Sequence, residues 1–326
     1  MPWVCSRSIL PLLAGVFRTG QERTPGRLQT IFMWRCFGNS CYFKAVTEFD
    51  PKLVPIRPAA TVMLIADRPN LQIFMLKRHA NTVFAGGMWV FPGGGVDPED
   101  SQTKFNQANI DELDAHSSSL LELESGGLAY YIAAIRECFE ESGILFAHRN
   151  EEQQLINLSN NKTRAHFDSL RDQLNNRQTN FRDILRSEAL TPALAWLHPV
   201  ARWVTPLGSP KRFDARFFIA GMPADQTPIH DDGELVKSAW MRPDDILAAC
   251  DQEEMVLMSP TLRMVRSLAF FTSTQEVLQA VSHELSYERV RVCSEQGTLV
   301  VPGEQGYAHG SEDIETGWIR LRPGQT

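Results

Sequence analysis

Two short segments constrain the fold of this chain more than any others: the glycine run Gly93–Gly95 and an acidic stretch that begins at Arg136. The glycine run follows a short apolar segment, Met88–Phe91, that is typical of a β-strand. The acidic stretch lies in Ala129–Glu141, where apolar residues recur at helical spacing. Gly143 then supplies a helix stop. The two segments therefore demand a fold that combines strands with helices.

Three glutamates on the predicted helix form the strongest candidate functional cluster. Glu137, Glu140 and Glu141 stand at positions i, i+3 and i+4, which share one helix face. Ionised carboxylates this close repel one another, and a divalent cation such as Mg²⁺ or Mn²⁺ removes that repulsion. Arg136 can brace a carboxylate through a bidentate pair. Taken alone, the pattern also fits a solvated acidic helix face.

Together the two segments resemble the Nudix box, a pattern written G-x5-E-x7-R-E-U-x-E-E-x-G-U in which U is aliphatic. Gly94 stands at the first glycine, and Asp100 stands where the family has Glu. Arg136–Ile144 (RECFEESGI) matches the second half, with Cys138 at an aliphatic position. Residues 101–135 replace the usual seven-residue spacer, so an insertion splits the box. The alternative is a chance acidic helix in an unrelated fold.

The split box is similar to that of Nudix hydrolases related to the coenzyme A diphosphatases. Three further segments resemble this branch, namely Trp203–Phe218, Glu234–Pro243 and Val301–Tyr307. The resemblance covers roughly residues 55–310. Strands and helices alternate without regular βαβ units, which favours the α+β class. The resemblance implies the Nudix-type α/β/α sandwich with a mixed β-sheet, plus additional helices.

The resemblance implies metal-dependent hydrolysis of a diphosphate linkage in a nucleoside diphosphate derivative. Coenzyme A or acyl-coenzyme A is the first substrate expected, giving 3′,5′-ADP and (acyl-)phosphopantetheine. NADH, ADP-ribose, nucleotide sugars and dinucleoside polyphosphates remain alternatives, as does a non-catalytic binding or regulatory module. Mg²⁺ or Mn²⁺ is the cofactor implied. The partner is a small molecule rather than nucleic acid or membrane, and a homodimer remains open.

The same resemblance implies roles for individual residues. Arg136, Glu137, Glu140 and Glu141 are assigned to catalysis, and the metal ligands are the three glutamates with the Gly93 carbonyl. Gly94 and Gly95 leave room for a phosphate.

Several other residues are candidates for phosphate binding, proton transfer or base stacking, and each has an alternative role that stays open. The candidate phosphate clamps, which are otherwise ordinary surface or strand-edge charges, are Lys77, Arg78, Lys211, Arg212 and Arg216. The general base is a helix glutamate or an acid of a later loop, such as Asp231, Asp232 or Glu234. Trp89 and Trp203 either stack on a base or belong to the core.

Charge is distributed unevenly along the chain. The sequence has 32 basic and 39 acidic residues, a formal net charge of −7. Residues 1–54 hold seven basic and three acidic residues, a net of +4, so the remainder carries −11. The overall acidity argues against a general nucleic-acid binder. A hydrophobic content of 43% excludes a disordered or fibrous chain.

Cysteine usage and hydropathy indicate a cytoplasmic location. The six cysteines form no CxxC pair, which is typical of reduced thiols. No apolar run reaches the roughly 18 residues that a membrane span needs. The basic head 1–54 leaves open a signal peptide, an organelle transit peptide or an unstructured extension.

The predicted organisation has three parts. Residues 1–54 form a poorly structured basic extension, 55–310 the Nudix domain, and 311–326 a C-terminal tail. Within the domain, 101–127 is an inserted loop or a partly helical insertion, and 150–195 is a helical insertion. The apolar runs 61–66 and 72–77 around a turn predict a β-hairpin, and the apolar spacing of 259–280 predicts a helix. We expect the 101–127 loop to lie on the surface near the pocket mouth, so that its deletion changes substrate preference more than folding.

Overall fold

A computed structural model describes residues 32–37, 40–45, 51–82, 85–102, 109–149, 154–229, 235–282, 286–293, 298–312 and 315–321. The strands are β1 Phe32–Phe37, β2 Ser40–Ala45, β3 Ile56–Asp67, β4 Leu71–Arg78, β5 Trp89–Val90, β6 Gly93–Gly95, β7 Ala147–Arg149, β8 Leu190–Pro192, β9 His198–Val204, β10 Arg212–Gly221, β11 Leu235–Met241, β12 Glu288–Arg289, β13 Arg291–Cys293, β14 Thr298–Val300 and β15 Gly317–Ile319. The α-helices are α1 Ile110–Leu121, α2 Gly127–Ser142, α3 Asn161–Asn175, α4 Phe181–Ser187, α5 Pro243–Asp251, α6 Ser259–Leu268 and α7 Thr274–Ser282.

A mixed sheet of nine strands forms the centre of the fold. Its main path runs β11-β4-β3-β10-β9-β15-β12, with β5 paired to β4 and β6 paired to β3. The predicted hairpin of 61–66 and 72–77 is confirmed, because β3 and β4 pair antiparallel with Ile65 opposite Ile73. Strands β3 and β10 are parallel along their whole length. The sheet thus combines parallel and antiparallel pairs, as the sequence predicts.

Alternate residues of β3 bury opposite faces of this sheet. Val62 and Leu64 pack in a core shared with α1–α4, whereas Met63 and Ile65 pack in a second core shared with α5–α7. Helices therefore cover both faces, which explains why the central strands are apolar on both sides. The α+β fold with an α/β/α sandwich is confirmed.

The insertion that splits the box differs from the predicted surface loop. Its described part forms α1, which packs along α2 and buries Ser117, Ser118 and Leu121. The Asp114 carboxylate accepts hydrogen bonds from the backbone N–H groups of Gly126 and Leu128. Because Gly126 has no side chain to cap α2, Asp114 supplies that cap from the insertion. The partly helical alternative holds here, and one face of α1 packs against the core while the rest of the helix lies at the surface.

Two helical predictions were too long. The stretch 151–190 contains α3 and α4 as separate helices, and the predicted helix 259–280 is divided into α6 and α7. The second break has a local cause, a capping arrangement at the start of α7. The Ser273 hydroxyl accepts from Glu276 N–H, and the Glu276 carboxylate accepts from Thr272 N–H.

The chain end contributes to the sheet. Residues 317–319, predicted to lie in a tail, form β15 between β9 and β12. Trp318, Ile319 and Leu321 are buried, so this short apolar run stabilises the sheet by removing apolar surface from water. No helix in the described part of the chain is long and apolar enough to cross a membrane.

The structure divides into two compact units close to the boundary predicted between residues 54 and 55. One unit comprises Met1–Pro55 with Leu207–Pro210, and the other comprises Ile56–Pro206 with Lys211–Thr326. In the first unit β1 and β2 form an antiparallel hairpin in which Trp34 pairs with Phe43. Residues 1–31 lie outside the described part. The poorly structured extension, the cytoplasmic location and the homodimer all stay predictions.

Candidate active site

Helix α2 positions the three glutamates through its buried face. Ile132, Ile135 and Phe139 are buried against the sheet and the neighbouring helices, which fixes the rotation of the helix about its axis. The carboxylates of Glu137, Glu140 and Glu141 then project together, with side-chain exposures of 13%, 22% and 15%. The helix ends in a left-handed C-cap, Gly143, whose N–H donates to the Phe139 carbonyl.

The glycine turn lies directly against this acidic cluster. Strand β6 pairs with Ala59–Thr61 of β3, and the Gly93 N–H donates to the Glu141 carboxylate at 2.9 Å. A Cβ atom built on Gly94 would lie 2.5 Å from the Glu137 carboxylate carbon. Only glycine therefore permits this approach without moving Glu137. The structure brings together the two segments that the sequence singles out.

Arg136 connects the turn, the 3-10 turn Asp100–Gln102 and the helix. Its guanidinium donates to both carboxylate oxygens of Asp100, at 3.0 and 2.9 Å, and to the Gly95 carbonyl at 2.7 Å. It also donates to Glu137 at 2.8 Å. The bidentate pair that the sequence predicts for Arg136 thus forms with the Asp100 carboxylate. Asp100 is buried and accepts the Asp97 N–H at 2.7 Å, which fixes its orientation.

Burial governs the protonation of the glutamates in this cluster. Burial raises the pKa of Glu137 to about 7, and the Arg136 cation lowers it only in part. Burial also raises the pKa of Glu140, again against the effect of Arg136. For Arg136, burial lowers the pKa, but the hydrogen bonds to Asp100 and the charge of Glu137 raise it overall. Arg136 therefore remains a cation while Glu137 titrates near neutrality.

Helix α3 contacts the end of α2 at Glu140. Arg171 Nε donates to the Glu140 carbonyl at 2.8 Å, and Asn175 Nδ2 donates to the same oxygen at 3.3 Å. These contacts satisfy a carbonyl of the last turn of α2. At α4, the Phe181 ring packs 6.4 Å from the Phe139 ring. The helical insertion thus supports the acidic end of α2.

A cavity of about 1020 Å³ opens at this junction. The first wall contains Arg136, the three glutamates, and Asp97–Asp100. The second wall belongs to the helical insertion, from Leu174 through Asp183, and Leu235 also lines the cavity. None of the described residues of 101–127 lines it, so the predicted place of that insertion at the pocket mouth does not hold for its described part.

Comparison with known proteins agrees with this geometry. A profile described as the NUDT19 Nudix domain matches residues 113–268, which include α2 and the strands β7–β11. Residues 113–268 thus form a Nudix domain. It is 24% identical over 270 residues to a Xenopus laevis protein named acyl-coenzyme A diphosphatase NUDT19, covering 74% of this chain and 70% of that protein. The human protein of the same name is also 24% identical, over 288 residues, covering 76% and 75%.

A solved structure shares the fold of this Nudix hydrolase. The crystal structure of a Nudix hydrolase from Alicyclobacillus acidocaldarius superposes with a TM-score of 0.54 and 23% identity. The match covers 70% of this chain and 98% of that one. The likeness therefore extends over the whole domain of the bacterial protein.

The predicted phosphate clamps of the Nudix hydrolase do not all reach the cluster. Arg78 does, because its guanidinium lies 4.0 Å from the Glu141 carboxylate. Lys77 points to the other face of the sheet, with its ammonium 5.9 Å from the Trp89 ring centre. Arg212 is buried and donates to the Thr205 carbonyl, and Lys211 is exposed.

Arg216 is fully buried and pairs with Asp214, with its guanidinium 5.0 Å from the Tyr130 ring centre. Arg212 and Arg216 thus have partners within the protein and Lys77 lies on the other face, so a phosphate-binding role for these three residues stays a prediction. For Lys77 the reason is strand geometry, because side chains of neighbouring residues leave a strand on opposite faces. Arg216 lies on the face that carries α2, but Asp214 and the Tyr130 ring hold its guanidinium. Trp89 and Trp203 are buried in the core beside α5–α7, which favours their core alternative.

Sequence reasoning passed over Asp100 as a site residue, although the position six residues after Gly94 marked it. The later-loop candidates Asp231, Asp232 and Glu234 lie outside the described residues. Asn175 and Arg177 of the cavity wall carried no recognisable sequence signal.

The donor set of the cluster fits a divalent cation. Nudix hydrolases generally use divalent metal ions. Carboxylate oxygens are the ligands that hard cations prefer, and burial leaves the carboxylates poorly hydrated. Within the described residues no three acidic, histidine or cysteine side chains already enclose a metal-sized space. Arg136 Nη1 lies 2.8 Å from Glu137 and 3.4 Å from Glu140, so these side chains must rotate to ligate.

Substitution of Gly94 by alanine tests the contact between turn and helix. The new methyl group displaces the Glu137 carboxylate, which is the end of a flexible side chain, so we expect little loss of stability. Misplacement of the carboxylate by about 1 Å is expected to lower kcat by roughly 10²-fold. Steady-state kinetics and thermal unfolding measure the two effects.

The neighbouring variant Gly95→Ala is the matched control, since its Cβ meets no atom within 4 Å. We expect a much smaller loss of kcat. Equal losses in the two variants would show that the approach of Gly94 to Glu137 has no catalytic importance.

Proposed function

We propose that this protein hydrolyses the diphosphate linkage of coenzyme A or acyl-coenzyme A, giving 3′,5′-ADP and (acyl-)phosphopantetheine. The observation that carries the proposal is the convergence of Glu137, Glu140 and Glu141 on the glycine turn at the edge of a large cavity. The names of the Xenopus and human relatives support the choice of substrate.

We assign Glu137, Glu140 and Glu141, with the Gly93 carbonyl, to holding Mg²⁺ or Mn²⁺. Such an ion neutralises diphosphate charge and activates water for attack at phosphorus. The Gly93 N–H holds the Glu141 carboxylate in place at 2.9 Å. Gly94 and Gly95 leave space for the phosphates, and Arg78 supplies a cation beside Glu141.

Glu137 is the helix carboxylate best suited to accept a proton from the attacking water. Burial raises its pKa to about 7 in the metal-free protein, so it accepts a proton more readily than an exposed glutamate, and a bound cation lowers that pKa. Arg136 orients it through a 2.8 Å hydrogen bond, and Asp100 orients Arg136 in turn. This chain of contacts makes Asp100 a positioning residue.

A substrate panel tests the proposal. Purified protein is incubated with Mg²⁺ or Mn²⁺ and coenzyme A, acetyl-coenzyme A, NADH, ADP-ribose or a UDP-sugar, and kcat/KM is measured for each. We expect the coenzyme A compounds to give the highest values. If another compound of the panel gives the highest kcat/KM, that compound replaces coenzyme A as the proposed substrate. If none of them is hydrolysed, the enzymatic role is rejected in favour of a binding module.

The raised pKa of Glu137 predicts how pH affects metal binding. The folded-state pKa of about 7 exceeds the ordinary value of 4.5, so the metal-free native protein binds more protons than the unfolded chain between these pH values. Its stability therefore falls as pH rises through that window. Below pH 7 Mg²⁺ must displace a proton, which weakens binding about 30-fold at pH 5.5.

Thermal unfolding with and without Mg²⁺ measures this coupling. We expect Mg²⁺ to raise Tm more at pH 8 than at pH 5.5, and we expect Glu137→Gln to lose most of that difference. An equal or larger Mg²⁺ effect at pH 5.5 in the wild type would be incompatible with the assignment of Glu137.

A further inference from the structure

The second wall of the cavity comes from the turn between α3 and α4. Asn175, Arg177, Gln178 and Thr179 line it, and Asn180 caps α4 by accepting the Asp183 N–H at 2.9 Å. Contacts of Arg171 and Asn175 with the Glu140 carbonyl hold this segment beside the acidic cluster. The turn is therefore built into the site rather than appended to it.

Charge in the cavity is strongly one-sided. Its acidic lining residues are Asp97, Glu99, Asp100, Glu137, Glu140, Glu141 and Asp183. Its basic lining residues are Arg136, Arg177 and Arg182. Arg136 is already engaged by Asp100, Glu137 and Gly95. The cations lining the cavity that can meet a second anionic group of a ligand are thus Arg177 on the turn and Arg182 in the first turn of α4.

The backbone of Arg177 has a conformation that favours glycine. Its φ is +57°, and its N–H donates to the Leu174 carbonyl at 2.9 Å at the end of α3. The N–H of Gln178 donates to the Gln173 carbonyl at 2.8 Å, which completes a Schellman motif. An arginine here destabilises the fold relative to glycine. Glu253 has the same strain away from the cavity, so the strain supports a function for Arg177 only together with its place on the cavity wall.

The Arg177 side chain is exposed at the cavity and has neither an ion pair nor a hydrogen bond within the described ranges. Arg182 is held loosely, with its Nε 4.0 Å from the Asp183 carboxylate. By contrast, Arg171 on the same insertion is buried and donates to a backbone carbonyl. Contacts within the protein thus explain the arginine at position 171, whereas no contact among the described residues explains the arginine at position 177.

We propose that Arg177 binds a phosphomonoester of the substrate that lies outside the scissile diphosphate. This rests on the proposed function, which requires the diphosphate itself to lie at the glutamates. Arg177 belongs to the second wall, so it meets a different charged group. Coenzyme A carries such a group as its ribose 3′-phosphate, whereas NADH, ADP-ribose and UDP-sugars carry none. A guanidinium matches phosphate oxygens in geometry and charge. Arg177 therefore selects coenzyme A compounds.

Replacing Arg177 by glycine separates stability from function. We expect Tm to rise by about 1–3 °C, because glycine relieves the left-handed strain. We also expect KM for coenzyme A to rise about tenfold or more, while KM for dephospho-coenzyme A, which lacks the 3′-phosphate, changes less than about twofold. A purely structural residue would not produce this split.

Glu253→Gly is the matched control. Glu253 has a φ of +60° and ends α5 with the same hydrogen bonds, its N–H donating to Cys250 and the next N–H to Ala249. It is exposed and does not line the cavity. We expect its Tm to rise as in Arg177→Gly, with KM for both substrates unchanged.

A binding measurement separates this proposal from the proposed function. Calorimetry compares adenosine 3′,5′-bisphosphate with adenosine 5′-monophosphate on wild type and Arg177→Gly. We expect wild type to prefer the bisphosphate about tenfold, and the variant to lose that preference. If Arg177→Gly lowers the affinity for both nucleotides equally, or changes neither affinity, the proposed role of Arg177 is wrong. If the wild-type protein hydrolyses no diphosphate but still prefers adenosine 3′,5′-bisphosphate, only the enzymatic function is rejected.

Discussion

Replacing Glu141 by glutamine is expected to lower kcat for coenzyme A hydrolysis by about 10³-fold. Removal of one carboxylate ligand forfeits several kcal/mol of charge stabilisation by the cation. The glutamine keeps the size of the side chain, and its carbonyl oxygen can still accept the Gly93 N–H that now reaches Glu141 at 2.9 Å. The loss is therefore one of charge rather than of structure, and it is read from steady-state kinetics at saturating Mg²⁺.

Glu253→Gln is the control for this variant, since Glu253 is an exposed carboxylate that does not line the cavity. We expect wild-type kcat for it. A Glu141→Gln protein with unchanged kcat and an unchanged Mg²⁺ requirement would remove Glu141 from the metal site.

Replacing Asp214 by asparagine is expected to destabilise the fold by about 3–5 kcal/mol. Asp214 accepts two hydrogen bonds from Arg202, both at 2.9 Å, and one from Arg216. Arg216 is fully buried, and burial lowers the pKa of its guanidinium. Loss of the carboxylate leaves two neighbouring guanidinium cations without their shared counterion. We expect Tm to fall by about 10 °C, measured by thermal unfolding.

Asp245→Asn is the matched control, because Asp245 pairs with Arg242 on the surface, with both side chains about half exposed. Such an exposed pair contributes little to stability. Adding Arg216→Met to Asp214→Asn should restore part of the lost stability, since it removes the unpaired buried cation. Equal effects of Asp214→Asn and Asp245→Asn would contradict a structural role for the buried cluster.

Local sequence signals predicted the parts of the fold that local physics determines. The apolar spacing of 129–141 predicted α2, and Gly143 predicted its end. The hairpin β3–β4 followed from two apolar runs around a turn. The glutamate cluster and the glycine turn were recognised from residue type and spacing, and the structure brings them into contact.

Contacts between residues distant in the sequence determine which charged side chains reach the glutamates, and local sequence patterns do not show these contacts. Residue alternation puts Lys77 and Arg78 on opposite faces of β4, but only the position of α2 determines that Arg78 faces Glu141. Arg216 has the residue type of a phosphate clamp, and its partner Asp214 on the same strand holds its guanidinium. The contribution of the helical insertion depends on contacts across 31 or more residues, such as Arg171 with Glu140.

The most direct test of the central claim is product analysis. Coenzyme A is incubated with the wild-type protein and Mg²⁺, and the products are identified by liquid chromatography and mass spectrometry. The account predicts equal amounts of adenosine 3′,5′-bisphosphate and phosphopantetheine, with neither formed at a comparable rate by Glu141→Gln. Intact coenzyme A, or conversion to dephospho-coenzyme A through loss of the 3′-phosphate, would contradict it.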